Sequence, residues 1–397
     1  MADTQLLMHS KKCIFSSFFL PKISICHKFF VSLRIIMKGD WNILYVATHA
    51  QEIWHSIHWP EGPKCPNCQS HDYVLCKDGR YRCKHCHKYY TEKTDTLFHG
   101  SNISITYWMV TLYLMLSGKG ISSCELSRKL QVTQKTAYYM LQRLRLSMSQ
   151  NDTFLEGDIA MDELYVGGTW SRFTLSKKQA LLKKFCLPKH PKSMKEKLAI
   201  ANAANSCYKQ PVYGLNDGKK IVLQVMPNPI KDDDVIEVFN RHTKGTGIAV
   251  SDCSKLYDLW KLRTGFDIEY NNHSKGQYTT ENGYSSNRIE GTFSWISRDF
   301  LCDYVHISKK WLQLYLDEFC YRWNCRELSM KDRMIQAITG CSQKYNKSVL
   351  DEYNDWEAKL IRPRNYNEPR EIFETIGWLV NEIKCGGLIY RPEDFAE

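Results

Sequence analysis

The sequence predicts a multidomain protein built from three unlike pieces: a small cysteine-stapled module, a helical segment and an α/β domain. Three observations carry this. Two CxxC pairs, Cys65–Cys68 and Cys83–Cys86, are separated by 14 residues. Apolar residues recur at helical spacing through residues 103–150, and from Ile159 onward short apolar strands alternate with helical stretches.

At 397 residues the chain can hold two or three domains and bury a core. A net charge of +11 favours a polyanionic partner, nucleic acid before membrane, because no amphipathic anchor is evident. Aromatic residues at 13% exclude a disordered chain. Sixteen cysteines in so long a chain, with one repeated CxxC pair, point to a reducing compartment and a metal site rather than a disulfide scaffold.

Residues 1–40 read as an atypical N-terminal extension. The apolar run Cys13–Ile36 is broken by Lys22, Lys28 and Arg34, which argues against a membrane span. Met37 reads as the start of translation, with an upstream extension before it.

Residues 41–100 are expected to hold a zinc ribbon. Each CxxC knuckle offers two thiolates on a tight turn, and Cys65, Cys68, Cys83 and Cys86 together satisfy a closed, structural Zn²⁺ site. Between the knuckles a hairpin turns at Asp78-Gly79. Cys76, His85 and His87 read as hairpin side chains rather than ligands.

Residues 101–150 form a helical, helix-turn-helix-like segment. Ser122 and Thr133 are natural N-caps, and Glu125 stands where it would complete a capping box with Ser122. The second helix offers Gln134, Lys135, Thr136, Tyr139 and Arg143 as DNA-binding residues, although an ordinary helical bundle carries the same pattern.

Residues 151–330 read as a ribonuclease-H-like α/β domain, from three strands followed by alternating helices and strands. The strand around Met161 holds Asp162 and Glu163, and a carboxylate in an apolar strand is costly without a cation or a hydrogen-bond partner. Asp252 ends a second compact strand, the position at which α/β folds place their ligands. Asn287 and Glu290 share one face of a later helix. The catalytic set expected is Asp162, Asp252, Asn287 and Glu290, with Asp162, Asp252 and Glu290 holding Mg²⁺ or Mn²⁺ for two-metal phosphoryl transfer. The lysine-dense stretch 169–210 reads either as a phosphate-tracking insertion or as a solvated loop, and residues 331–397 as a tail without chemistry.

With these residues in view, the chain resembles bacterial insertion-sequence transposases of the ISXO2-like type. The pieces that carry the resemblance are Trp59-Pro60, both knuckles, GISSCELSRKLQVTQKTAYYMLQRLR at 120–145, MDELYVGG at 161–168, SNRIEGTFSWISR at 286–298 and YLDEFCYRWNCR at 315–326. The resemblance implies metal-dependent cleavage and strand transfer at transposon ends. Asp162 and Asp252 would be ligands, with a third from Asn287 or Glu290. It also implies double-stranded DNA as partner (transposon ends and target), a homo-oligomer on DNA, no membrane, and a cytoplasmic, nucleoid-associated bacterial setting. Ser285 stands where the family usually has His, Ser297 where it has a basic residue, and Cys253-Ser254-Lys255 where a Gly-aromatic pair follows the second Asp. A catalytically decayed or domesticated DNA-binding regulator is therefore the alternative.

Overall fold

The computed structural model describes residues 40–342, except 151, 168–172, 185, 201–208, 228–229, 253–259, 272–278, 281, 301–303 and 305–306. The N-terminal extension and the far end of the expected tail lie outside the described residues.

Two short helices open the described residues, α1 (Ile43–Thr48) and α2 (Ala50–His58). Asn42 caps α1, its side chain accepting from the Tyr45 N–H. A three-stranded antiparallel sheet follows: β1 (Tyr73–Leu75), β2 (Tyr81–Cys83) and β3 (Tyr89–Tyr90). The predicted hairpin is β1–β2, and the ring of Trp59 stands edge-on to Tyr81 and Tyr90, covering one face of this sheet.

Next come α3 (Ile105–Leu116), α4 (Ser123–Leu130) and α5 (Gln134–Arg145). Ser122 and Thr133 cap α4 and α5 as expected, accepting from the N–H groups of Glu125 and Thr136. The Glu125 side chain faces Lys129 one turn on, at 3.5 Å.

The α/β domain is a five-stranded sheet in the order β6-β5-β4-β7-β8, from β4 (Ile159–Val166), β5 (Gln210–Asn216), β6 (Ile221–Val225), β7 (Ile248–Asp252) and β8 (Asp267–Asn271). β4, β5 and β6 run antiparallel, while β7 and β8 run parallel to β4. Strand alternation gives the sheet two apolar faces. Ile159, Met161, Tyr213, Leu215 and Val222 pack under α7 (Asp232–His242) and α8 (Trp260–Thr264), whose Phe239 and Trp260 lie edge-to-face at 4.6 Å. Ala160, Val212, Ile221 and Leu223 pack under α9 (Asn287–Asp299) and α10 (Leu312–Asn324). The lysine-rich stretch contains α6 (Leu175–Lys184), in which Leu181 alone among the described residues is buried.

The last helix among the described residues, α11 (Met330–Ser342), leaves the sheet and packs against the helices that precede it. Its Met334, Ala337, Ile338 and Cys341 share one core with α1–α5. This corrects two expected boundaries. Residues 331–342 belong to the helical body rather than to a tail. Residues 41–58, with Leu97 and Phe98, also belong to that body, so the ribbon proper is shorter than 41–100.

The helical body and the sheet domain meet across buried polar groups. Arg145 Nε donates to Glu318 at 2.6 Å, with both side chains about 1% exposed. Glu318 also faces Arg322 at 3.5 Å and accepts from the Tyr304 hydroxyl at 2.8 Å, and Arg322 continues to Asp299 at 3.0 Å. Gly120 lies against this cluster at φ +106°, where a Cβ would sit 2.4 Å from the Tyr304 hydroxyl. Beside it, Gln150 and Gln313 donate to Asp317, whose carboxyl is pushed up to about 6 by burial, against those two hydrogen bonds.

Candidate functional site

The four predicted cysteines come together. Cys65 and Cys86 have their sulfurs 3.6 Å apart, Cys68 and Cys83 3.5 Å apart, and all four lie within 4.8 Å of one another. Sulfurs around Zn²⁺ at about 2.3 Å are separated by about 3.8 Å in a tetrahedron, so this donor set fits zinc. The two knuckles repeat one backbone plan. The Gln69 and His87 N–H groups, both at φ near +60°, bond back to the carbonyls of Cys65 and Cys83. Ser70 and Lys88 carbonyls accept from the Cys65 and Cys83 N–H groups. The thiols are electrostatically unequal. The Lys88 N–H lowers Cys86 to about 6, whereas at Cys68 desolvation and the three neighbouring sulfurs outweigh the Ser70 N–H and raise it to about 12. Four thiolates at this separation need a cation between them. Cys76, His85 and His87 are not part of the cluster.

The second cluster forms where β4 and β7 separate. Ala160 pairs with Val250 in parallel register. Two residues further on, Asp162 and Asp252 therefore project from the same sheet face. Asp162, Glu163 and Asp252 each bring a carboxylate oxygen within 4.8 Å of the others. Glu163 is the member that the sequence reading left out of its catalytic set. Strand alternation assigns it to the opposite face from Asp162, so its adjacency carries no signal until the strand geometry is known.

Helix α9 reaches this face because β5 leaves room for it. Gly214 pairs with Asp162, and a Cβ there would meet Phe293 at 2.7 Å and Ile289 at 2.8 Å. Asn216 Nδ2 donates to the Arg288 carbonyl and the Thr292 hydroxyl, tying the start of α9 to β5. Asn271, paired with Asp252, donates to Ser286 Oγ at 3.4 Å, and that hydroxyl donates to Glu290 Oε1 at 3.4 Å. Glu290 is thus linked to the neighbourhood of Asp252 but lies outside the three-carboxylate cluster, and Asn287 is exposed. Of the three carboxylates expected to converge, Asp162 and Asp252 come together, with Glu163 beside them, and Glu290 lies outside this group.

The expected DNA-reading face of α5 is largely turned inward. Tyr139 is 8% exposed and Arg143 2%, with its guanidinium donating to the His99 carbonyl and lying 5.1 Å from the Tyr139 ring. Thr136 is buried beside its cap Thr133. These three side chains are packed inside the helical body, because α5 lies against the helical core on most of its circumference. Gln134 and Lys135 are exposed, and Gln134 braces α4 through Ser123 Oγ at 2.8 Å.

Two family descriptions match the chain: an ISXO2-like transposase domain over residues 154–324 and a transposase zinc-ribbon domain over residues 48–89. A protein of Halobacterium salinarum, described as an uncharacterized protein in transposable element ISH50, is 24% identical over 281 residues, covering 69% of this chain and 89% of that protein. Among the described residues no helix is long and apolar enough to cross a membrane. The resemblance to zinc-ribbon insertion-sequence transposases is borne out in both the ribbon and the α/β domain.

Proposed function

We propose, from the premise that this chain carries the zinc ribbon and α/β domain of an insertion-sequence transposase, that it binds transposon-end DNA and performs metal-dependent cleavage and strand transfer. The observation that carries the chemistry is the meeting of Asp162, Glu163 and Asp252 at the point where two parallel strands part. The sheet order, three antiparallel strands beside two parallel ones, supports a ribonuclease-H-like fold.

The donor set is all carboxylate oxygen, which suits a hard divalent cation such as Mg²⁺ or Mn²⁺. Asp162, Glu163 and Asp252 would hold it. Bound there, it supplies Lewis-acid polarisation of a phosphodiester and activation of water or a 3′-hydroxyl. The chain itself fixes the carboxylates. Asp162 Oδ1 accepts from the Glu163 N–H at 2.8 Å, and the β4 and β7 backbones set the spacing of the two aspartates. Glu290, hydrogen-bonded by Ser286 at the start of α9, is the further carboxylate that the reading assigns to this chemistry.

Asp162→Asn is expected to abolish Mg²⁺-dependent cleavage of end DNA while leaving DNA binding and zinc content unchanged. Cleavage at the wild-type rate by that variant would overturn the proposal. A DNA-binding regulator without strand chemistry is the second reading, favoured by the position of Glu290 outside the cluster. Wild-type protein that binds ends and never cuts them would establish it.

A further inference from the structure

We propose that the lysine-rich insertion between β4 and β5 is the holding surface for target DNA, the duplex into which a cut strand is transferred. This rests on the transposase reading above and assigns a surface to its second substrate. The insertion leaves β4 at Val166 and re-enters the sheet at Gln210, the residue paired with it. Asp162 lies four residues before Val166, so the root of the insertion stands about 13 Å along the strand from the acidic cluster. Duplex DNA advances about 3.4 Å per nucleotide on each strand, so this span is about four phosphates. Three carboxylates gathered at one edge repel a polyanion, and lysines held near that edge offset the repulsion.

Residues 173–200 carry eight lysines, no arginine and one acid, Glu196, and seven of the lysines are exposed. Glu196 directs its carboxylate to the backbone. It accepts from the Lys192 and Ser193 N–H groups at 2.6 and 3.3 Å, and the Ser193 hydroxyl accepts from the Glu196 N–H at 3.2 Å, a reciprocal cap on the helical residues 194–200. Two observations separate this segment from an idle solvated loop. It is anchored, because Leu181 and Ile200 are buried while most of the residues around them face water. A distant part of the chain also adds charge at its root. Lys309, just before α10, donates to the Lys209 carbonyl at 3.4 Å and is exposed, as is Lys310. Lysine is a compact cation without the planar fork of arginine, so a surface built from it holds phosphate without reading bases. Transposon ends have to be recognised by sequence, whereas the target duplex changes from one event to the next. A sequence-blind surface beside the site therefore suits the target.

The test uses the full chain, a labelled pre-cut end duplex and a mixed-sequence plasmid as target, in Mg²⁺. Lys183→Gln, Lys184→Gln, Lys189→Gln and Lys195→Gln combined are expected to lower strand transfer by about tenfold or more, with single-turnover cleavage of an uncut end kept within about twofold. In fluorescence anisotropy across a salt series, the same variant should bind a mixed-sequence duplex with a salt slope smaller by about 2–4. Arginine at the same four positions retains the charge and should retain both slope and transfer. Thermal melts equal to wild type show that each variant has folded. A folded glutamine variant with unchanged transfer and unchanged slope would overturn this surface while leaving the transposase reading intact. Equal losses of end cleavage and of transfer would overturn the target assignment. Wild-type protein that neither cuts nor joins DNA would overturn the transposase reading, and the target role with it.

Discussion

Two groups of charged side chains, one at the joint between the helical body and the sheet domain and one on the sheet itself, are built on opposite plans. At the joint with the helical body, Arg145, Glu318, Arg322 and Asp299 alternate in sign, are almost wholly removed from water, and are bound to one another. At the parting of β4 and β7, Asp162, Glu163 and Asp252 share one sign and stay partly open to solvent. Alternating buried charge holds two bodies in one relative position. Like charge gathered at an open edge raises the free energy of the protein by itself and becomes favourable only with a cation present. Burial and sign together therefore set the buried joint apart from the proposed metal site where either alone would not.

The acidic group is expected to show the largest response to substitution. Glu163→Gln is expected to lower Mg²⁺-dependent cleavage by about 10²–10³-fold, the loss typical of one preorganised electrostatic group. Glu290→Gln made in parallel sharpens it. A larger loss at Glu290 than at Glu163, measured as single-turnover cleavage, would move the third ligand from the strand to α9.

The joint should respond in stability rather than in chemistry. Glu318→Gln leaves Arg145 buried without its counter-charge and is expected to cost about 3–5 kcal/mol in denaturant unfolding. A smaller cost would mean that the joint admits water.

Asp317, in the same joint, gives an effect of opposite sign. An exposed aspartate titrates near 3.9, so with a folded value of about 6 the native state retains a proton that the unfolded chain releases between roughly pH 4 and 6. Stability contributed by this group is full below that window and is lost as pH rises through it. Asp317→Asn keeps an acceptor for Gln150 and Gln313 and should stabilise the protein at pH 7 by about 1–3 kcal/mol. Thermal melts at pH 4 and pH 7 check this, the gain vanishing at the lower pH.

The smallest effects belong to α5. Lys135→Ala, at an exposed position, should lower DNA affinity a few-fold with a change in salt slope of about 1. Arg143→Ala, at a buried one, should lower stability and leave the slope alone.

These outcomes map onto what the sequence could and could not reveal. Local signals were readable: the knuckles, the Ser122 and Thr133 caps, the hairpin at Asp78-Gly79, the carboxylates inside β4 and the strand that ends on Asp252. The stripe at Met334, Ala337, Ile338 and Cys341 keeps helical spacing, and its place in a distant core was the unseen part. The inward turn of α5 was hidden for the same reason. Its polar residues answer to partners remote in the chain, Arg145 to Glu318 and Gln142 to Tyr315, and no window of sequence contains both. Glu163 was hidden because strand alternation assigns it to the face opposite Asp162, whereas its carboxylate lies within 4.8 Å of those of Asp162 and Asp252.

The return of α11 to the helical body has a consequence during synthesis. The body's first five helices leave the ribosome early, but the surface that Met334, Ala337, Ile338 and Cys341 cover stays bare until roughly 190 further residues have been made, about 10–40 s at typical elongation rates. In that interval the sheet domain can complete itself while the helical body waits unclosed. A nascent chain stalled before Met330 should therefore expose an apolar cleft that chaperones recognise, and release of α11 should bury it.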